Sequence, residues 1–347
     1  MRSYISVLLS LPLLAVFLGC EAAPRPMSEM DYRHVHQEHM GEVSPLGQGG
    51  WEFPVTKLTN AEVYDYGHPN VSMDGKWLAY ASNANRGQAD VYLQPMDGFA
   101  ARQLTHGPGS NIHPAISPDS SMVAFASNRD GKYRIYAMST KGSGRVEEVS
   151  DPNYESMSPT WSPCGMKVAF ATRMDDKSPW MIAVRCRNSG QISYLREGMF
   201  PDWSPFGDSI VFQRTKQHEP GYSAVYTMRS DGSELTLVYH SDTHGAITPA
   251  WAGGEWIVFA TVNKSEVSKV GMGDLNADDI WMVKRDGTQA SLLTQHRRAD
   301  WDPCFDNTRR RVVYVSDCDG CQNIYAVDTN MAGPRVDGYS KLFGGGE

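Results

Sequence analysis

After its first 20 residues this 347-residue chain has no apolar run approaching 18 residues, so the sequence places the remainder outside the bilayer. Positive charge is in deficit. The 32 Lys and Arg face 40 Asp and Glu, a net charge of −8, which excludes the basic surface that a nucleic-acid backbone requires. Nucleophilic catalysis finds no support, because no Gly-x-Ser-x-Gly elbow occurs, and no glycine-rich phosphate loop or His-Glu-x-x-His pair is present either. What the chain does have is 41% hydrophobic residues, 32 Gly and 20 Pro, which excludes disorder and collagen and supplies a core.

The N-terminus reads as an address. One cation at Arg2 precedes an apolar stretch from Ile5 to Leu18, fourteen positions and too short to span a membrane comfortably, so 1–19 is read as a signal segment. It ends in Phe17-Leu18-Gly19-Cys20, which resembles the lipobox of bacterial lipoproteins; that resemblance implies lipidation at Cys20. An ordinary signal cut near Cys20-Glu21-Ala22 is the alternative. With Glu21 and not Asp in the second mature position, the resemblance implies the periplasmic side of the outer membrane or the cell surface. Residues 20–54 are polar, lack any period of 2 or 3.6, and are read as a tether. His34, His36 and His39 lie there with no fold to preorganise them, so a solvated tether is favoured over a metal site.

The body repeats. A proline followed by a turn and a β-rich run recurs at Pro69, Pro114, Pro159, Pro201, Pro249 and Pro303, with intervals of 45, 45, 42, 48 and 54 residues. Such a period, punctuated by hairpin signals every few residues, marks a propeller blade. Each copy reads as four short strands. Proline opens strand a, where its missing N–H costs no ladder bond, and Asp-Gly corners such as Asp74-Gly75 and Asp130-Gly131 supply positive φ. Alternation along the strands is expected to bury one face of each sheet against its neighbour. The sixth copy lacks a strand d, and Val55-Thr56-Lys57-Leu58-Thr59, which matches Gln103-Leu104-Thr105, is placed there in preference to Tyr339–Phe343. The expected fold is therefore all-β, a six-bladed propeller of four-stranded antiparallel blades over 55–328, closed by an N-terminal strand and followed by a tail at 329–347.

Pro159-Thr160-Trp161-Ser162-Pro163-Cys164-Gly165 and Pro201-Asp202-Trp203-Ser204-Pro205-Phe206-Gly207 resemble the WD-like repeat of the TolB propeller family. The resemblance implies protein partners: envelope lipoproteins, and a disordered peptide received in the channel mouth. Only about 35 residues stand between Cys20 and the first strand, too few for that family's separate N-terminal α/β domain, so membership of the Tol system itself is not implied. The function expected is an envelope-anchored binding or scaffold protein, not an enzyme, monomeric, with no cofactor, and touching the membrane only through a lipid. Carbohydrate or small-ligand binding in the channel, or a metal-assisted polysaccharide lyase resembling oligogalacturonate lyases, are the alternatives.

The residues preceding the six prolines, His68, His113, Ser158, Phe200, Thr248 and Asp302, are expected to ring the channel mouth on the face of the d-to-a connections and b-to-c hairpins. Two histidines and an aspartate could hold an anion, a sugar or a metal, though a hydrated mouth is the simpler reading and no metal is assigned. The fifth repeat carries a b-to-c hairpin about eleven residues longer than the others, and Lys264, Glu266, Lys269 and Asp274 on it are candidate partner contacts. Cys318-Asp319-Gly320-Cys321 straddles the sixth-blade hairpin, where a short disulfide could form.

Overall fold

Each proline-initiated repeat forms one four-stranded antiparallel sheet, and six such sheets make up a ring. The computed structural model describes residues 54–60, 64–84, 87–142, 144–215, 223–263, 277–295 and 299–329, and no helix occurs among them. Its strands are β1 to β24 in chain order. The inner strand of each blade is β2 (Tyr66–Val71), β6 (Asn111–Ile116), β10 (Glu155–Trp161), β14 (Met199–Trp203), β18 (His244–Ala252) or β22 (Asp300–Asp306), and each contacts the next around the ring.

The a-to-b corners show why the repeat reads as it does. Ser72 Oγ donates to Asp74 Oδ1 at 2.6 Å and accepts from Trp77 N–H at 2.9 Å, while Gly75 takes φ 66° and its N–H donates to the Ser72 carbonyl. Ser117, Asp119 and Met122 repeat the arrangement in the second blade. A Cβ on Gly75 would stand 2.0 Å from Thr308 Oγ1 in the sixth-blade corner, so the residue is fixed by space as well as by φ.

The blades are cemented by six apolar clusters, each built from residues of adjacent sheets. Strand b contributes one fully buried aromatic residue per blade: Tyr80, Phe125, Phe170, Phe212, Phe259 and Tyr314, all at most 2% exposed. One-sided burial does not hold. In β3 (Trp77–Ser82) and β6, successive residues are buried on both faces, because every sheet is packed between two neighbours.

Closure follows the N-terminal strand. β1 (Val55–Lys57) pairs antiparallel with β24 (Asn323–Asp328), with Val55 opposite Val327 and Lys57 opposite Tyr325. The Leu-Thr match that singled out this segment has a physical basis. In the first blade the Thr105 hydroxyl accepts from Val91 N–H at 2.9 Å, in the fifth Thr294 accepts from Ile280 N–H at 2.9 Å, and at the closure Thr59 accepts from Ile324 N–H at 2.8 Å. Thr59 also donates to Asn323 Oδ1 at 3.1 Å. The rival segment Tyr339–Phe343, the signal segment, Cys20 and the tether lie outside the described residues.

Candidate functional site

All six inner strands carry a β-bulge at the same place. Register shifts occur between Gly67 and Asn70, Ile112 and Ala115, Met157 and Thr160, Met199 and Asp202, Ile247 and Ala250, and Trp301 and Cys304. The bulged residues are His68, His113, Ser158, Phe200, Thr248 and Asp302, and each has positive φ, between 47° and 53°. A non-glycine residue pays about 1–2 kcal/mol for that conformation, most for β-branched Thr248. The bulge re-aims the side chain. With the prolines that follow them, the six line one cavity of about 220 Å³.

The ring does not sit at the mouth where the sequence places it. The six residues stand part-way along strand a, and the cavity runs from them to the a-to-b corners, where Met73, Pro118, Pro163, Pro205 and Asn307 line it. Its opening is thus on the a-to-b edge, and the bulged residues form its floor.

The floor is polar and tightly packed. His68 and His113 lie with ring centroids 3.9 Å apart, and Phe200 meets His113 edge-on at 5.8 Å. His68 Nδ1 is 2.7 Å from Asp302 Oδ2. Burial holds the His113 imidazole well below its ordinary pKa, with His68 beside it adding to the effect, so its uncharged form is favoured. Both nitrogens of His113, Ser158 Oγ and Thr248 Oγ1 are buried and have no hydrogen-bond partner among the described residues. That is unusual, because buried polar atoms are nearly always paired.

Above the floor, two residues beyond each bulge, lies a second tier. Asp202 accepts from Thr160 Oγ1 at 3.0 Å and from Trp251 N–H at 2.8 Å, tying the third, fourth and fifth blades together. Burial raises its carboxyl to about 6 despite these donors. Cys304 shares the tier, and burial pushes its thiol well up. Asp202 was not singled out from the sequence, although it is a carboxylate at a repeat position that elsewhere carries Asn, Ala, Thr or Cys.

The remaining expectations divide. The long hairpin with Lys264, Glu266, Lys269 and Asp274 lies outside the described residues. Of the strands on either side of it, β19 (Trp256–Asn263) pairs with β20 (Ala277–Lys284) and ends at Asn263, which pairs with His244. Cys318 and Cys321 flank the turn between β23 (Arg311–Ser316) and β24, but no disulfide joins them; Cys318 Sγ points to Asp319 Oδ1 at 3.7 Å. Among the described residues no group of three His, Cys, Asp or Glu side chains is placed to hold a metal ion.

A family model described as the TolB beta propeller domain matches residues 56–254, more than half of the chain. The chain belongs to the TolB beta-propeller family. No curated protein matches it. Solved structures do: a putative TolB from Agrobacterium tumefaciens is 19% identical over 80% of this chain and 97% of its own, with a TM-score of 0.57. An oligogalacturonate lyase from Vibrio parahaemolyticus is 15% identical over 81% and 94%, with a TM-score of 0.54. TolB from Acinetobacter baumannii is 21% identical with a TM-score of 0.48, and the chain spans 58% of its length. At these identities the TolB-like chain shares a fold with both a lyase and a putative TolB, and the fold alone assigns no chemistry.

Proposed function

We propose that this protein is a non-catalytic, monomeric binding module of the bacterial envelope, exported and anchored by lipid at Cys20, whose channel receives a segment of a partner polypeptide. One observation carries the reading. The cavity floor presents buried polar atoms of His113, Ser158 and Thr248 without partners, inside a collar of six prolines, as a site built for a ligand leaves them. Membership of the TolB beta-propeller family and the absence of any nucleophile motif in the sequence favour binding over catalysis. Export and anchoring rest on the segment ending at Phe17-Leu18-Gly19-Cys20.

Site-specific photo-crosslinking in cells tests it. A photoreactive residue at Met73, on the cavity opening, is expected to trap one polypeptide, and His113→Trp, which fills the floor, to abolish that adduct. The same probe at exposed Tyr194 on an outer strand, 45% accessible, should trap none. Equal labelling at both positions, or an adduct indifferent to His113→Trp in a folded variant, would sink the reading.

A further inference from the structure

Acidic side chains and histidines, but no stronger base, stand around the cavity. Its lining includes the carboxylates of Asp202 and Asp302 and contains neither Lys nor Arg. Asp202 is committed to Thr160 and Trp251, whereas Asp302 Oδ2 meets only His68 Nδ1, at 2.7 Å, among the described residues. Across the same floor stand Ser158 and Thr248, 7% and 9% exposed, whose hydroxyls have no partner among the described residues, and His113, 8% exposed, with both nitrogens in the same condition. Since burial favours uncharged His113, one of its nitrogens is an acceptor. The walls toward the opening are proline and aromatic.

We propose that the channel floor binds a primary alkylammonium group, with its N–H bonds going to the Asp302 carboxylate and the Ser158 and Thr248 hydroxyls and its alkyl arm running between the prolines to the opening. An ammonium has three donors and no acceptor, which matches a floor of hydroxyl, carboxylate and imidazole acceptors. An anion would meet two carboxylates and no Lys or Arg. A neutral alcohol would satisfy the hydroxyls but bring no charge to the carboxylate, which the His68 imidazole alone meets among the described residues. A cavity of about 220 Å³ is below the ~300–1,000 Å³ of drug-sized sites, and suits one unbranched side chain. The inference rests on the reading that this channel is a ligand site, and gives the ligand its chemistry. The amine could be a lysine side chain of the partner polypeptide or a free alkylamine.

Calorimetric titration of the whole protein with n-hexylamine, 1-hexanol, hexanoate and N-acetyl-lysine-N-methylamide tests it. Hexylamine and the capped lysine are expected to bind, with hexanol and hexanoate at least about tenfold weaker. Asp302→Asn should weaken hexylamine about tenfold or more with hexanol little affected, and Ser158→Ala should weaken hexylamine severalfold. Should Asp302→Asn fail to fold, Ser158→Ala decides the matter, because its hydroxyl has no partner among the described residues to lose. Hexanoate or hexanol binding as tightly as hexylamine, or hexylamine affinity unchanged in the folded variants, overturns the proposal. Tighter capped lysine assigns the amine to a polypeptide, and tighter hexylamine to a free amine; both support the site. The two readings fail separately: amine binding without a Met73 adduct removes the polypeptide, and an adduct without amine binding removes the ammonium.

Discussion

Two positions three residues apart on strand a behave in opposite ways. The residue before each proline is His, His, Ser, Phe, Thr or Asp, and it faces the channel. The third residue after it is Val71, Ile116, Trp161, Trp203, Trp251 or Phe305, always apolar; every one borders the cavity wall but packs its bulk into the cluster between its own blade and the preceding one. The same bulged strand therefore serves two ends. Inter-blade cement demands uniform apolar bulk, whereas the channel position demands only a left-handed backbone and leaves the side chain free to vary. Variation at one repeat position within an otherwise regular ladder is the mark of a site, and the unpaired polar atoms there agree with it.

Truncating the cement should be the costliest way to break that contrast. Phe170, 1% exposed between the second and third blades, is expected to cost about 3–5 kcal/mol on replacement by Ala, read as a lowered midpoint in urea unfolding. A loss below about 1 kcal/mol would mean that the blades do not depend on their aromatic wedges.

The second tier responds to pH. Asp202 has a folded pKa raised to about 6 from an ordinary 3.8, so below pH 4 it is protonated in both states and carries no penalty. Between pH 4 and 6 the unfolded chain gives up this proton first, and stability is lost as pH rises through that window, by up to about 3 kcal/mol. Asp202→Asn can keep both bonds, accepting from Trp251 N–H and donating to Thr160 Oγ1. Its melting temperature should match the wild type near pH 4 and exceed it above pH 6; parallel curves across the window would show that burial does not control this carboxyl.

At the closure, Thr59→Val keeps the shape and leaves Ile324 N–H without its acceptor, for an expected loss of about 1–3 kcal/mol in equilibrium unfolding. Ser158→Ala marks the other extreme. Its hydroxyl has no partner among the described residues, so stability should stay within about 0.5 kcal/mol of the wild type while hexylamine binding weakens. A large destabilisation there would erase the distinction between cement and floor.

How much of this could be read from the sequence follows the same division. Six prolines, corners such as Ser72-Met73-Asp74-Gly75 and Leu-Thr endings each encode a local bond, so blade number, strand order and the closing strand were all legible. The ring residues were legible too, because their place before proline is a sequence position. Their depth was not, since nothing in the chain tells how far along strand a the bulge falls, and the opening moved to the other edge. Asp202 escaped notice because its burial comes from Thr160 and Trp251 on neighbouring blades, 42 and 49 residues away. Two-sided burial escaped as well, for a strand read alone does not announce a sheet on either side.

Closure by β1 also sets a timetable. Val55 and Val327 are 272 positions apart, so the first strand of the ring to be synthesised is the last whose partner exists. Until residue 328 has left the ribosome, the sixth blade has no outer edge strand and β1 has no sheet. The five blades between can stack in order as they emerge, but the circle is completed only by the join between the oldest and newest strands. A chain cut short within β24 would therefore lose more than its last few residues: it would leave five blades whole, the sixth without its two outer strands, and the ring unlatched.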